Sequence, residues 1–243
     1  MKLMMTMLML ALSVKAFAYP SGSFGEEKII GTDDLIAVNA DGSNIPQQYR
    51  RLIGAFGIIS MGCTATHIGN GYVLTAGHCF QAPEDLVRNQ PCSGTTIQWG
   101  VREGHASDLT STCQTIVAEQ LNDTNDFAII KVSPVPSVTV GVDIQRRAQD
   151  GDSLTIFSHP EMLPLRWSQS CVVEAVKHPG LPAASLQHKC DTNPGSSGAT
   201  ILNLQSLKVI GIHDGGLTSN GGMNYGTYII NSPIPDILKE IGF

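Results

Sequence analysis

Cys190-Asp191-Thr192-Asn193-Pro194-Gly195-Ser196-Ser197-Gly198-Ala199 is the most telling segment of the chain. A serine set among small residues beside a Pro-Gly pair is what an exposed nucleophile on a tight bend requires. Glycine reaches dihedrals closed to other residues and leaves room for a carbonyl to approach. The N–H groups of Gly195 and Ser197 are then able to converge on one point and hold a developing oxyanion. A serine hydroxyl is a weak nucleophile alone and needs a base within hydrogen-bond reach. The rest of the chain therefore has to supply a histidine and a carboxylate.

Both lie upstream. Leu74-Thr75-Ala76-Gly77-His78-Cys79 sets a histidine directly after a short apolar strand, and Asn125-Asp126-Phe127-Ala128-Ile129-Ile130 sets an acid at the head of another. The order His78, Asp126, Ser197 is one of those in which a hydrolytic triad is found. These three blocks, in this order and spacing, resemble the chymotrypsin-fold serine endopeptidases, and the likeness runs from Ile29 to the C-terminus. The resemblance implies that Ser197 attacks the scissile carbonyl, that His78 carries its proton to the leaving amine, and that Asp126 fixes the imidazole tautomer. The Gly-x-Ser-Gly register selects Ser197 over its neighbour Ser196. Asp108 and Asp123 read as turn acids. His67, His105, His159, His178 and His188 have no motif around them and read as structural or surface residues.

The chain has 243 residues, enough for one domain of two-barrel size. Its formal net charge is −6 without any lysine-arginine cluster, which argues against nucleic acid as a partner. Residues 1–18 read as a secretory signal: Lys2, an apolar run from Leu3 to Val14, then Ala16-Phe17-Ala18 as the cleavage site. That run is shorter than the roughly 20 residues a bilayer needs, so the expectation is a secreted protein, extracellular or periplasmic, without a membrane anchor after processing. Export makes the six cysteines a disulfide framework. With no Cys-x-x-Cys and no His-x-x-x-His, neither a metal nor another cofactor is expected. The resemblance implies Cys63–Cys79. Cys92–Cys113 and Cys171–Cys190 follow as the remaining sequence-near pairs, and these two are open to exchange.

Residues 19–28 are polar and acidic and read as a propeptide, cut near Lys28 by an activating protease, with the peptidase domain at 29–243. Apolar, β-branched runs appear at Ile53–Ile59, Gly62–Ile68, Tyr72–Ala76, Thr95–Val101, Thr115–Glu119 and Phe127–Val132, with Gly69-Asn70-Gly71 as a hairpin turn. Ser133-Pro134-Val135-Pro136-Ser137 reads as the crossing between halves. Ser153–Phe157, Trp167–Val176, Ser185–Lys189, Ala199–Leu204, Lys208–His213 and Tyr225–Ile230 continue the texture. Pro235–Ile241 is the one convincing helix. Many short strands argue an all-β sandwich or barrels. The resemblance selects two six-stranded antiparallel barrels, about 45–133 and 138–233, a C-terminal helix at about 235–242, and a cleft between the barrels. A monomer acting on protein or peptide substrates is expected.

Specificity is read from Gly211-Ile212-His213-Asp214-Gly215-Gly216. This block resembles the bacterial glutamyl endopeptidases, which implies that His213 faces the carboxylate of the residue before the cut, with Thr192 beside it. An imidazole and a hydroxyl are both able to donate to a carboxylate. Gly215 and Gly216 leave a bare strand edge for an extended substrate. Asp191, six residues before Ser197, is where trypsin-like enzymes keep the acid that selects Lys or Arg, and it carries the alternative. Asp214 is placed either to discourage an acidic substrate or to partner His213. Animal digestive enzymes carry an aspartate where this chain has Ser196, so their zymogen switch is not expected here. In the glutamyl branch the mature N-terminus helps form the pocket. Two further readings are a silent homologue that binds a protein through the same cleft, against which the intact trio stands, and an esterase, which usually takes a different fold.

Overall fold

The computed structural model describes residues 28–92, 94–218 and 221–243. The stretches expected to be a signal, 1–18, and a propeptide, 19–28, lie outside the described residues apart from Lys28.

The first barrel is built from β2 (Phe56–Ile59), β3 (Cys63–Gly69), β4 (Tyr72–Thr75), β6 (Thr96–Trp99), β7 (Leu109–Leu121) and β8 (Asp126–Ser133). Their order is β7-β6-β2-β3-β4-β8, and pairing of β7 with β8 closes the ring. Strand β7 bends around that closure through register shifts at Cys113/Thr115 and Ile116/Ala118, since an extra residue on one strand of a pair kinks it and sharpens its twist. Short β5 (Val87–Gln90) adds to β7 from outside. The sequence marks only Thr115–Glu119 of this 13-residue strand, because the polar run Thr110-Ser111-Thr112 hides its first half.

The second half holds β9 (Ser153–Ser158), β10 (Arg166–Trp167), β11 (Cys171–Val172), β12 (Leu186–His188), β13 (Thr200–Asn203), β14 (Val209–Leu217) and β15 (Met223–Tyr228). The path β9-β13-β14-β15-β12 is drawn round by a bridge between Val173 and His188, just past β11, which itself pairs with β9. The expected strand Trp167–Val176 is two strands instead. Gln169 between them sits at φ 59°, a left-handed conformation that interrupts a ladder. Strand β14 runs four residues beyond the expected end at His213. The helix is α2 (Ile234–Glu240), and a short α1 (Gln47–Arg50) precedes the first barrel. Strand β1 (Ile36–Ala37) pairs with β10, so it lies on the wall of the second half although it precedes the first barrel in sequence.

One continuous core crosses the seam. Phe56 of the first barrel stacks on Phe157 of the second with centroids 5.0 Å apart, and Tyr49 and Trp167 pack around the pair. Each such aromatic contact adds about 0.5–1.5 kcal/mol beyond the area it buries. The halves are thereby held in fixed register, as residues meeting at their junction require.

Candidate active site

The turn carrying Ser197 is stitched to both barrels. Ser197 C=O accepts the N–H of Thr64 on β3 at 2.9 Å, and Gly198 N–H donates to His213 C=O on β14 at 2.8 Å. The Thr64 hydroxyl donates to Gly195 C=O at 2.9 Å. Two glycines make this fit possible. Gly195 lies at φ 101° and Gly198 at φ 82°. A Cβ on Gly198 would stand 2.1 Å from the Thr75 hydroxyl and 2.7 Å from Ala76 N, so only glycine lets the turn press against the end of β4. Pro194 C=O accepts from Glu161 N–H. In a planar trans peptide that turns the Gly195 N–H to the opposite side. Ser196 is fully buried, with its hydroxyl on Ser158 at 3.0 Å.

The segment leaving β4 delivers His78. Its Nδ1 lies 2.6 Å from Asp126 Oδ2, and its backbone N–H reaches Asp126 Oδ1 at 2.9 Å, so one carboxylate holds both ring and main chain. A carboxylate accepts, hence Nδ1 donates and Nε2 carries the ring's lone pair. The disulfide Cys63–Cys79 ties the loop to the head of β3, beside the Thr64 that holds Ser197. Disulfides Cys92–Cys113 and Cys171–Cys190 complete the set. Asp126 N–H donates to the Thr227 hydroxyl at 2.9 Å.

The histidines divide by surroundings. His67 bridges Val138 C=O and Gly71 N–H, His105 pairs with Asp108, and His159 is buried against Leu163 C=O with its pKa pushed by burial down to about 4. His188 differs from these. It is fully buried, and its Nε2 lies 3.4 Å from Nδ1 of the equally buried His213, ring edge to ring face. Burial holds His188 down to about 3, and burial, reinforced by His188 and His78, holds His213 well below the usual imidazole range. His213 Nε2 is buried with no hydrogen-bond partner among the described residues. No motif around His188 marks it in the sequence, because its nearness to His213 is set by the pairing of both β12 and β14 with β15.

Asp191 faces the N-terminal segment. It is buried, and its two carboxylate oxygens accept N–H groups of the N-terminal segment, Ile30 at 2.8 Å and Asp34 at 2.7 Å. The acid that the alternative reading makes the selector of a basic side chain thus holds two main-chain donors of the segment 28–34. Thr192 also faces that segment, with its N–H on Lys28 C=O at 3.2 Å and its hydroxyl accepting Lys28 N–H at 3.3 Å. Asn224, which the sequence did not single out, accepts Lys28 N–H at 3.1 Å and donates to Lys28 C=O at 2.7 Å and Cys190 C=O at 2.8 Å. Asp214 does not partner His213, because its Oδ2 accepts from the Thr227 hydroxyl at 2.8 Å. Gly215 and Gly216 pair with Tyr225 and Asn224 on one side, while pairing with β13 stops at Ile212.

The fold is that of the chymotrypsin-like serine proteases. The Trypsin-like peptidase domain family matches residues 63–212, well over half of the chain, and the chain belongs to that family. By class it is a serine endopeptidase. No curated protein matches it. Among solved structures it is similar to a Glu endopeptidase, at 18% identity and TM-score 0.61 over 88% of this chain and 98% of that one. It is also similar to an inactive form of the Rv3671c protease of M. tuberculosis, at 16% identity and TM-score 0.57 over 86% and 98%. A serine endoprotease from Yersinia pestis matches at 16% identity and TM-score 0.55 over 81% and 68%. At these identities the structures speak for the fold alone.

Proposed function

We propose that the chain is an exported endopeptidase that cuts after glutamate or aspartate, with Ser197 as nucleophile, His78 as base and acid, and Asp126 as its anchor. The N–H groups of Gly195 and Ser197 receive the oxyanion, and one such donor is typically worth about 10²–10³ in rate. The observation that carries the acidic preference is His213, a buried imidazole on the strand beside the nucleophile turn, backed by His188, with Nε2 unpartnered among the described residues. A substrate carboxylate supplies what that nitrogen lacks. An anion beside an imidazole favours its protonated form, so binding an acidic side chain draws a proton onto the histidine pair. Gly215 and Gly216 offer main-chain groups to an extended substrate. The similarity to a Glu endopeptidase agrees with this reading.

Residues 1–18 serve as the export signal, and three disulfides suit an oxidising compartment. No helix of the described residues is long and apolar enough to cross a membrane. Removal of the propeptide near Lys28 frees the segment that lies on Asp191, Thr192 and Asn224. The protein acts as a monomer on protein or peptide substrates, with neither metal nor other cofactor.

Digestion of a peptide library with protein processed near Lys28 tests the reading. Cuts after Glu or Asp, lost in Ser197→Ala, are expected. Cuts after Lys or Arg would return the selector role to an acid. Absence of both cutting and fluorophosphonate labelling would favour a silent binding module.

A further inference from the structure

The ladder between β14 and β15 pairs His213 with Gly226 and then Gly215 with Tyr225, so Asp214 is an extra residue in a bulge. Its side chain turns inward and is only 6% exposed. Oδ2 accepts the Thr227 hydroxyl, and the same hydroxyl oxygen accepts the N–H of Asp126. A hydroxyl has a single hydrogen. Spending it on Asp214 fixes which way the Thr227 lone pairs face, and one of them meets Asp126. Asp214 is thus two hydrogen bonds from the peptide of the residue that grips His78. Its other oxygen, Oδ1, is buried with no hydrogen-bond partner among the described residues.

We propose that Asp214 is a positioning residue for the His78–Asp126 pair, orienting the Thr227 hydroxyl that receives the Asp126 N–H. The inference rests on the reading of Ser197, His78 and Asp126 as the reacting set. Its charge state follows from what surrounds it. From β8 it faces Asp126, whose negative charge opposes a second one, and from β15 it faces the neutral Thr227. Neighbouring His213 and, behind it, His188 on β12 are held neutral by burial, so neither offers a cation. His78 spends its donors on Asp126. Burial first, and Asp126 second, raise the Asp214 carboxyl well above the usual carboxylate range.

The test compares full-length, processed Asp214→Asn, Asp214→Ala and Thr227→Val on a peptide substrate, with kcat counted per fluorophosphonate-labelled site. Asparagine retains a neutral carbonyl acceptor for Thr227, so Asp214→Asn keeps turnover within about threefold of wild type. Alanine removes the acceptor, and kcat falls about 10–100-fold with KM moved less than threefold, the scale expected when a reacting group is misplaced. Thr227→Val matches that loss, and combining it with Asp214→Ala adds nothing further, since both break one chain. A second readout needs no turnover. A carboxyl that stays protonated in the fold, while the unfolded chain has released its proton, costs stability as pH rises. From about pH 4, where an unfolded aspartate releases its proton, the wild-type denaturation midpoint therefore declines relative to Asp214→Asn as pH rises. Asparagine falling as far as alanine, or alanine keeping wild-type kcat per site, overturns the inference while leaving the reacting set intact. A wild type that labels at no serine overturns both. Should the alanine variant not fold, the asparagine turnover and stability profile decide alone.

Discussion

Gly198 and the paired serines show how single residues set the chemistry. Gly198→Ala drives a Cβ into the Thr75 hydroxyl and the main chain of β3 and β4. It also forces a positive φ on a residue that resists it. The expected outcome is a stability loss above about 2 kcal/mol by chemical denaturation, with labelling at Ser197 lost in parallel. Ser197→Ala is expected to cut turnover by at least about 10⁴-fold with little change in folding. Ser196→Ala breaks a buried hydroxyl pair with Ser158 and costs about 1 kcal/mol, while fluorophosphonate labelling persists. Reversal of the two serine outcomes would move the nucleophile to Ser196.

Among elements, the N-terminal segment and the loop bearing His78 matter most. Residues 28–34 are clamped because Asp191 answers two of their N–H groups. Asp191→Ala leaves those donors without acceptors and is expected to cost about 1–3 kcal/mol. Cleavage after acidic residues should persist, weakened through KM. A shift in which side chain precedes the cut would instead restore Asp191 as selector. Replacing Cys63 and Cys79 together by alanine opens a link spanning 16 residues, with a cost of about 2–4 kcal/mol. Its second effect is a looser His78 loop, read as lower kcat per labelled site. Legibility at this scale was uneven. Tyr72–Thr75 and Asp126–Ser133 announce themselves as apolar runs, whereas β1 and β5 are short or polar and become strands only because a neighbour offers an edge.

On the scale of the whole molecule, buried histidines make stability fall in acid. An unfolded histidine takes up its proton near pH 6.5. Folded His159 does so only at about 4, and His188 only at about 3. Between those limits the unfolded chain binds more protons, so stability declines as pH drops below about 6.5, by a few kcal/mol in total by pH 4. Denaturant midpoints measured from pH 7.5 to pH 4 check this, and His159→Gln should flatten the curve. An unchanged midpoint would show that water reaches these rings. The core across Phe56, Phe157 and Trp167 implies one cooperative transition for both halves.

The double-barrel class was legible in the chain itself, through the short blocks around His78, Asp126 and Ser197, whose glycines and apolar flanks are demanded by local backbone geometry. The tertiary structure alone decided which groups Asp191 holds, the meeting of His188 with His213, and the chain from Asp214 through Thr227 to Asp126. Those relations depend on which residues face each other across strands far apart in sequence. A slip of one residue in such a ladder turns every side chain to the other face, and no local pattern records the register.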